Sequence, residues 1–344
     1  MMQESKTGSG VLPRAAPKSP LVPPASPTAV EPAWRDPLTL TSRSIEFDED
    51  SLPEHFFRQL VAAYLSGADE ITIESRARLP KAAPAVVQIF LGRIGTGVVY
   101  REGAGQFVIR GLDAFDHHQF SSMTRHLGEA VLERLRLAGS DPSAPIAEGK
   151  WEAEDDSIDR WAWAVHRQVV RCWEGRCPEG WADEDRIDPI GWLEASRALE
   201  RIGDHAVAIG IHAGRWKATQ PPESERALLA AFHGQACDYL ANTLGLLGET
   251  QISVANSLLD QGEALRETTR TLVDRLLVSR EGSTVPSPAA VVAIGWVLHS
   301  LERVIAYATD IAEVGLDRAV AMPSSASSQT PSFNQGHERR KPKQ

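Results

Sequence analysis

Between residues 113 and 316 apolar side chains recur three and four residues apart, the period of helices with one buried face. Six segments carry the pattern, at about 116–138, 152–174, 188–213, 224–247, 250–280 and 288–315. Gly and Pro punctuate most of the gaps, as in Cys177-Pro178-Glu179-Gly180 and Gln220-Pro221-Pro222. In the third segment Ala195, Leu199, Ile202, Ala206, Ile209 and Ala213 follow 4-3-4-3-4 spacing. In the sixth, Val297, Leu301, Val304, Ala308 and Ile311 follow 4-3-4-3. Such stripes are the seams of a packed helical bundle. Laying Leu199 on Leu301 brings the two seams into register at an offset of 102 residues. A duplicated three-helix unit, about 113–214 and 223–316, is the simplest account.

Residues 41–112 follow another rhythm. Ser44–Phe47 and Glu70–Glu74 alternate as half-buried strands do. Between them Pro53 opens a helical run through Phe56, Leu60, Ala63 and Tyr64 that Gly67 ends. Pro84–Leu91 predicts a second helix, and 98–100 and 106–109 predict a hairpin around Gly103-Ala104-Gly105. The order β-α-β-α-β-β fits a ferredoxin-like or related two-layer unit. The expected fold class is α+β: a small α/β two-layer domain followed by a duplicated three-helix bundle of six helices. Eight of the 22 prolines fall in residues 1–37. The segments 1–40 and 317–344 are therefore expected to be disordered.

Composition narrows the function classes. The chain has 344 residues, enough for about two domains. A net charge of −10 argues against a broad nucleic-acid surface and suits a protein that collects cations. Three cysteines, Cys172, Cys177 and Cys237, are too few for a disulfide framework and are expected as reduced thiols. The N-terminus has no apolar signal region. The apolar runs Ala289–Leu298 and Ala227–Phe232 fall short of the ~20 residues that span a bilayer. A cytoplasmic protein is expected, meeting a membrane only through a partner.

The chemistry concentrates in carboxylates. Glu154-Asp155-Asp156-Ser157-Ile158-Asp159 opens the second helical segment, with Asp155 and Asp159 one turn apart. Glu200 and Asp204 repeat that spacing on the third. The seam of the second segment runs Ile158, Trp161, Val165, Cys172, so both pairs flank the apolar faces. If the two helices lie side by side, the four carboxylates converge, and an oxygen-only set suits hard or borderline cations. Spacing leaves other readings open. Acids at a helix start complement its dipole, and Glu200 has Arg197 and Arg201 as neighbours. His205 is turned about 100° from Asp204 and is expected to hydrogen-bond a neighbouring helix. His117, His118, His126 and His166 share no ligand spacing. Gly92–Gly97 precedes a strand rather than opening a helix, and predicts a turn rather than a phosphate loop. No Ser/His/Asp or Cys/His set suggests a nucleophile.

The string Leu199-Glu200-Arg201-Ile202-Gly203-Asp204-His205-Ala206 resembles the signature of the PhoU family of phosphate-uptake regulators, and Leu301–Ala308 repeats it in altered form. In that family Glu/Asp-x-x-x-Asp motifs on the second and third helices of each repeat bind metal clusters. The resemblance thus implies Asp155, Asp159, Glu200 and Asp204 as metal ligands, with Fe, Mn, Mg or Zn left open. The second repeat keeps Glu302 but has Ala306 where Asp204 stands in the first, and Asp260–Glu267 offers no matching pair. One cluster rather than two is implied. Phe57–Gly67 resembles archaeal-type members that carry an α/β unit before the helices. Those relatives often begin with an AbrB-like DNA-binding module, where this chain has its Pro-rich segment. The resemblance implies a non-enzymatic cytoplasmic regulator of phosphate uptake. Its partner would be a phosphate transporter or sensor protein, and a homodimer is admitted. The alternatives are a DNA-binding transcriptional regulator and a metal-dependent phosphohydrolase.

Overall fold

The computed structural model describes residues 40–76, 78–101, 105–116, 118–139, 148–177, 188–248, 251–277 and 287–321, excepting the side chains of 148–155 and 277. The terminal segments expected to be disordered lie outside the described residues, apart from residue 40 and residues 317–321.

The strands β1 (Ser42–Glu46), β2 (Glu70–Glu74), β3 (Val98–Arg101) and β4 (Gln106–Arg110) alternate with helices α1 (Pro53–Leu65) and α2 (Ala83–Ile94) in the expected order. They form one mixed sheet, β1-β2-β4-β3. β2 pairs parallel with β1 and antiparallel with β4, with Ile71 opposite Ile109 and Ile73 opposite Phe107. The ferredoxin-like expectation gives way here. Two helical crossovers followed by a hairpin place β1 parallel to β2, whereas the ferredoxin-like order is β-α-β-β-α-β. Ile45, Ile71, Ile73 and Ile109 form one buried face against α1 and α2, where Phe47 stacks on Phe56 at 4.0 Å. The opposite face carries ion pairs such as Arg110 with Glu70.

Six further helices follow among the described residues: α3 (Phe120–Gly139), α4 (Glu148–Trp173), α5 (Pro189–Lys217), α6 (Glu223–Leu246), α7 (Ile252–Leu277) and α8 (Pro288–Ala321). The two 4-3 stripes are the core. Leu199, Ile202 and Ala206 of α5 and Leu301, Val304 and Ala308 of α8 are fully buried, while Ala213 is half-buried. α5 packs on α3, α4 and α8; α8 packs on α5, α6 and α7. Leucine-sized side chains at this depth each contribute about 1.5–3 kcal/mol.

α8 continues five residues beyond the expected boundary at 316. Arg318 lies 3.9 Å above the Trp192 ring, and both side chains are buried, so burial and a cation–π contact hold that last turn. α8 is also the helix among the described residues that is long and apolar enough to cross a membrane, although its longest uninterrupted apolar run is short. Half of that stretch is buried within the protein, as in a core helix.

α4 joins the two layers. Arg160 donates to the carbonyls of Arg93 at 2.9 Å and Gly92 at 3.1 Å, closing the C-terminal end of α2. Arg167, 1% exposed, donates to the Tyr64 carbonyl in the last turn of α1 and to the Ala68 carbonyl just beyond it. Arg171 and Arg176 both reach Asp69, at 2.5 and 2.8 Å. Burial alone would raise the Asp69 pKa, but the Thr41 amide and these two arginines outweigh it and hold the carboxyl below its ordinary range. Cys172 and Cys177 are joined as a disulfide, against the expectation of reduced thiols. The cause is local: Gly175 turns into the left-handed region at φ 80°, and the Arg176 amide bonds back to the Arg171 carbonyl at 2.8 Å, returning the chain over α4.

Candidate functional site

The carboxylates singled out by spacing flank the crossing of α4 and α5. At that crossing Gly203 presents bare backbone to Ile158; a Cβ there would meet the Ile158 side chain at 3.0 Å. The absent side chain lets the helices approach closely. Asp159 follows Ile158 on α4, Asp204 follows Gly203 on α5, and Glu200 lies one turn before Asp204. These three therefore occupy adjoining strips beside one contact, Glu200 half-buried and Asp204 exposed. The side chain of Asp155, the fourth expected ligand, lies outside the described residues. Among the described residues, no three carboxylate, His or Cys side chains are gathered closely enough to hold a metal ion. Asp159, Glu200 and Asp204 are oxygen donors, the type that hard cations take.

One cation meets the strip from the α/β layer. Arg93, at the end of α2, lies 3.2 Å from Asp156 and 3.6 Å from Asp159, whose side chain is 17% exposed. His166 stands two turns along α4 from Asp159. Burial, followed by the charge of Arg197 on α5, holds the His166 pKa below its ordinary value. Nothing in the spacing around 155–159 pointed to Arg93, because it comes from the other layer of the fold. The α4 seam also held a surprise. Ile158 and Val165 are buried as expected, yet Arg167 and Gln168 are buried with them. Gln168 donates to Asp116 at 2.5 Å, and Arg171 reaches the same carboxylate at 3.0 Å. Burial raises the Asp116 pKa even against those arginines.

Where a hydrogen bond to a neighbouring helix was expected, His205 instead makes ring contacts with His299 at 6.1 Å and Tyr307 at 6.0 Å on α8. Burial, then the charges of His299 and Arg303, lowers its pKa. His118 and His126 lean on the Trp161 ring; His117 lies outside the described residues. Gly92 and Arg93 belong to α2, and Gly95 ends it in the left-handed region, so this stretch is a helix stop and turn. In the second half Glu302 is half-buried, and Ala306 offers no donor where α5 has Asp204.

No family model matches the sequence, and no curated protein matches it. Among solved structures it is similar to the phosphate transport system regulatory protein PhoU from Streptococcus pneumoniae, at 18% identity and a TM-score of 0.50. The likeness covers 59% of this chain and 94% of that one, a share that matches the extent of α3–α8. The helical part of this chain therefore has a PhoU-like fold.

Proposed function

We infer that this chain is a non-enzymatic regulator of phosphate uptake that works by docking on a phosphate transporter or sensor protein. The PhoU-like fold of the helical part carries the reading, joined to carboxylates beside the α4–α5 crossing, with the signature string on α5. The two halves read as copies of one three-helix unit, α3–α5 and α6–α8. In support, α5 and α8 each pack on the other two helices of their own half and on each other. Asp155, Asp159, Glu200 and Asp204 would hold a metal ion or cluster, with Mg, Mn, Fe and Zn all open. When bound, the cation would neutralise the strip and cross-link α4 to α5. The small α/β layer, locked to α4 by arginines, is read as a second surface for the partner. A cytoplasmic location follows from this role.

The test is uptake of radiolabelled phosphate by native cells grown with ample phosphate. Cells lacking the chain should take up more, and the wild-type chain should restore restraint. Unchanged uptake in the deleted cells would overturn the regulatory reading. The metal part stands separately. Asp159→Ala with Asp204→Ala should remove most bound metal by elemental analysis while leaving helical content intact, and equal metal in mutant and wild type would sink it.

A further inference from the structure

Two arginine–cysteine pairs stand at the end of α4, Arg171-Cys172 and Arg176-Cys177, and the disulfide joins them across the turn at Gly175. Each half-cystine follows an arginine that grips the same carboxylate. Arg171 Nη1 donates to Asp69 Oδ1 at 2.5 Å, and Arg176 Nη1 donates to Asp69 Oδ2 at 2.8 Å. Arg176 Nη2 also donates to the Gly67 carbonyl at 2.8 Å and to the Glu174 carboxylate at 2.7 Å. A Cβ on Gly67 would meet Arg176 Nη2 at 2.9 Å and Arg171 Cγ at 3.0 Å, so the bare glycine admits both side chains. Asp69 in turn accepts the Thr41 amide at 2.8 Å, and its own amide donates to the Thr41 carbonyl at 2.8 Å. The two arginines therefore clamp the corner of the α/β layer where β1 and β2 both begin.

The arginines differ in what holds them. Arg171 lies within α4 and also reaches Asp116 at 3.0 Å. Arg176 lies past Trp173, the last residue of α4, on a turn closed by the Gly175 amide on the Cys172 carbonyl, the Arg176 amide on the Arg171 carbonyl, and the disulfide. Opening the disulfide leaves that turn to the backbone bonds of a helix end, where local opening costs least. The sulfurs lie within reach of an attacking thiolate: both cysteines are half-buried, Gly175 is exposed, and Trp173 is 75% exposed. Accessible disulfides are the labile, regulatory kind. We propose that Cys172–Cys177 is a reversible redox-modification site, reduced by a protein dithiol of the Cys-x-x-Cys type, and that its reduction releases Arg176 and loosens the Gly67–Asp69 corner from α4. One thiolate of the dithiol attacks Cys177 Sγ; the S–S bond breaks, and Cys172 leaves as a thiolate that takes a proton from water. The second thiolate attacks its partner's sulfur in the mixed disulfide and releases Cys177, which is protonated likewise. Two electrons pass to this chain, and the dithiol ends as a disulfide. Arg160 and Arg167 hold the layer from within α4 in either state, so the layer stays docked and the change is confined to one corner.

Hydrogen–deuterium exchange on the full chain, before and after treatment with thioredoxin, its reductase and NADPH, tests this. Thiol titration of the folded chain should show that the treatment opens the disulfide. Amides in 41–46 and 67–71 should then exchange about three- to tenfold faster, the scale of one lost charge-assisted contact. Amides at 92–95, beside the carbonyls that Arg160 holds, should not change. Arg176→Ala should show the faster exchange at the corner in both redox states, because its clamp is gone before the sulfurs open. Cys172→Ser with Cys177→Ser should show it in air and ignore the reductant. None of these readouts depends on phosphate uptake or on a bound metal. A disulfide that resists the dithiol in the folded chain, equal exchange at 67–71 in both states, or faster exchange at 92–95 as well would each overturn the proposal.

Discussion

Arg167 on α4 lies 4.9 Å over the Tyr64 ring and donates to the Tyr64 carbonyl at 3.0 Å, so one side chain grips α1 by its face and by its end. The same Nη1 donates to the Ala68 carbonyl at 2.7 Å. Burial pushes the Tyr64 hydroxyl pKa up to about 12, so this ring stays neutral beneath the guanidinium. The carboxylates of Asp69 and Asp116 stand 4.0 Å away and compensate the buried charge.

Arg167→Ala should therefore be among the most damaging substitutions in the chain. It leaves two carbonyls without their donor, opens a void, and removes the cation between Asp69 and Asp116. Loss of one partner from a buried ionic cluster costs about 3–5 kcal/mol. Chemical denaturation should register a loss of that order. Arg167→Lys should recover only part of it, because an ammonium can serve the two carbonyls that Nη1 bonds but has no planar face to lay over the Tyr64 ring and no further nitrogens to face Asp69 and Asp116. Full recovery by lysine would mean that charge alone matters at this position.

How far the sequence foretold this follows from where the partners come from. The seams of α5 and α8 were legible because each apolar residue reports its own burial through local spacing. Arg167 and Gln168 were not, since a polar residue on an apolar face becomes tolerable only when distant groups satisfy it. Here those groups are the carbonyls of Tyr64 and Ala68 and the carboxylate of Asp116. The carboxylate pairs were likewise legible as strips, but their placement beside Gly203 and Ile158, and the reach of Arg93 to Asp159, depend on how layers dock. The Cys172–Cys177 closure was missed because the expectation weighed compartment and spacing rather than the tight turn at Gly175.

That turn predicts a thiol count. Of the three cysteines Cys237 is free, buried, and pushed up to about 11 by burial, which keeps it protonated and unreactive. Chain purified in air should show essentially no reactive thiol when folded, one when denatured without reductant, and three after reduction. Three thiols in the denatured, unreduced chain would rule out the disulfide.

Acid should weaken the fold well before carboxylates titrate. Burial is the leading cause that holds His166, His205, His212 and His233 below the ordinary value of 6.5. A histidine with a depressed folded pKa takes its proton more readily in the unfolded chain. Its contribution is therefore complete above about pH 6.5 and is lost as pH falls below that value. The melting temperature should drop between pH 7.5 and 5.5, on the order of two pH units across this window. His233 donates from Nε2 to the Leu135 carbonyl at 2.9 Å. His233→Gln can keep a donor there without titrating, so it should make the pH dependence shallower. An equally steep dependence in that variant would remove His233 from the explanation.

The ion pair between Arg93 and Asp159 leads to a test of metal binding that ordinary ligand removal does not give. Arg93 holds a carboxylate that the proposed metal site needs, so the guanidinium and the cation compete for it. The pair is partly exposed and is worth about 0.5–1 kcal/mol. Arg93→Ala should therefore tighten Mn²⁺ binding by about two- to fivefold in titration calorimetry. Glu200→Gln should weaken it. Glu302→Gln should leave it unchanged, because Ala306 supplies no second carboxylate beside Glu302. Weaker binding in Arg93→Ala would place Arg93 in support of the site rather than in competition with it. Equal losses in Glu200→Gln and Glu302→Gln would place the metal in both halves of the bundle.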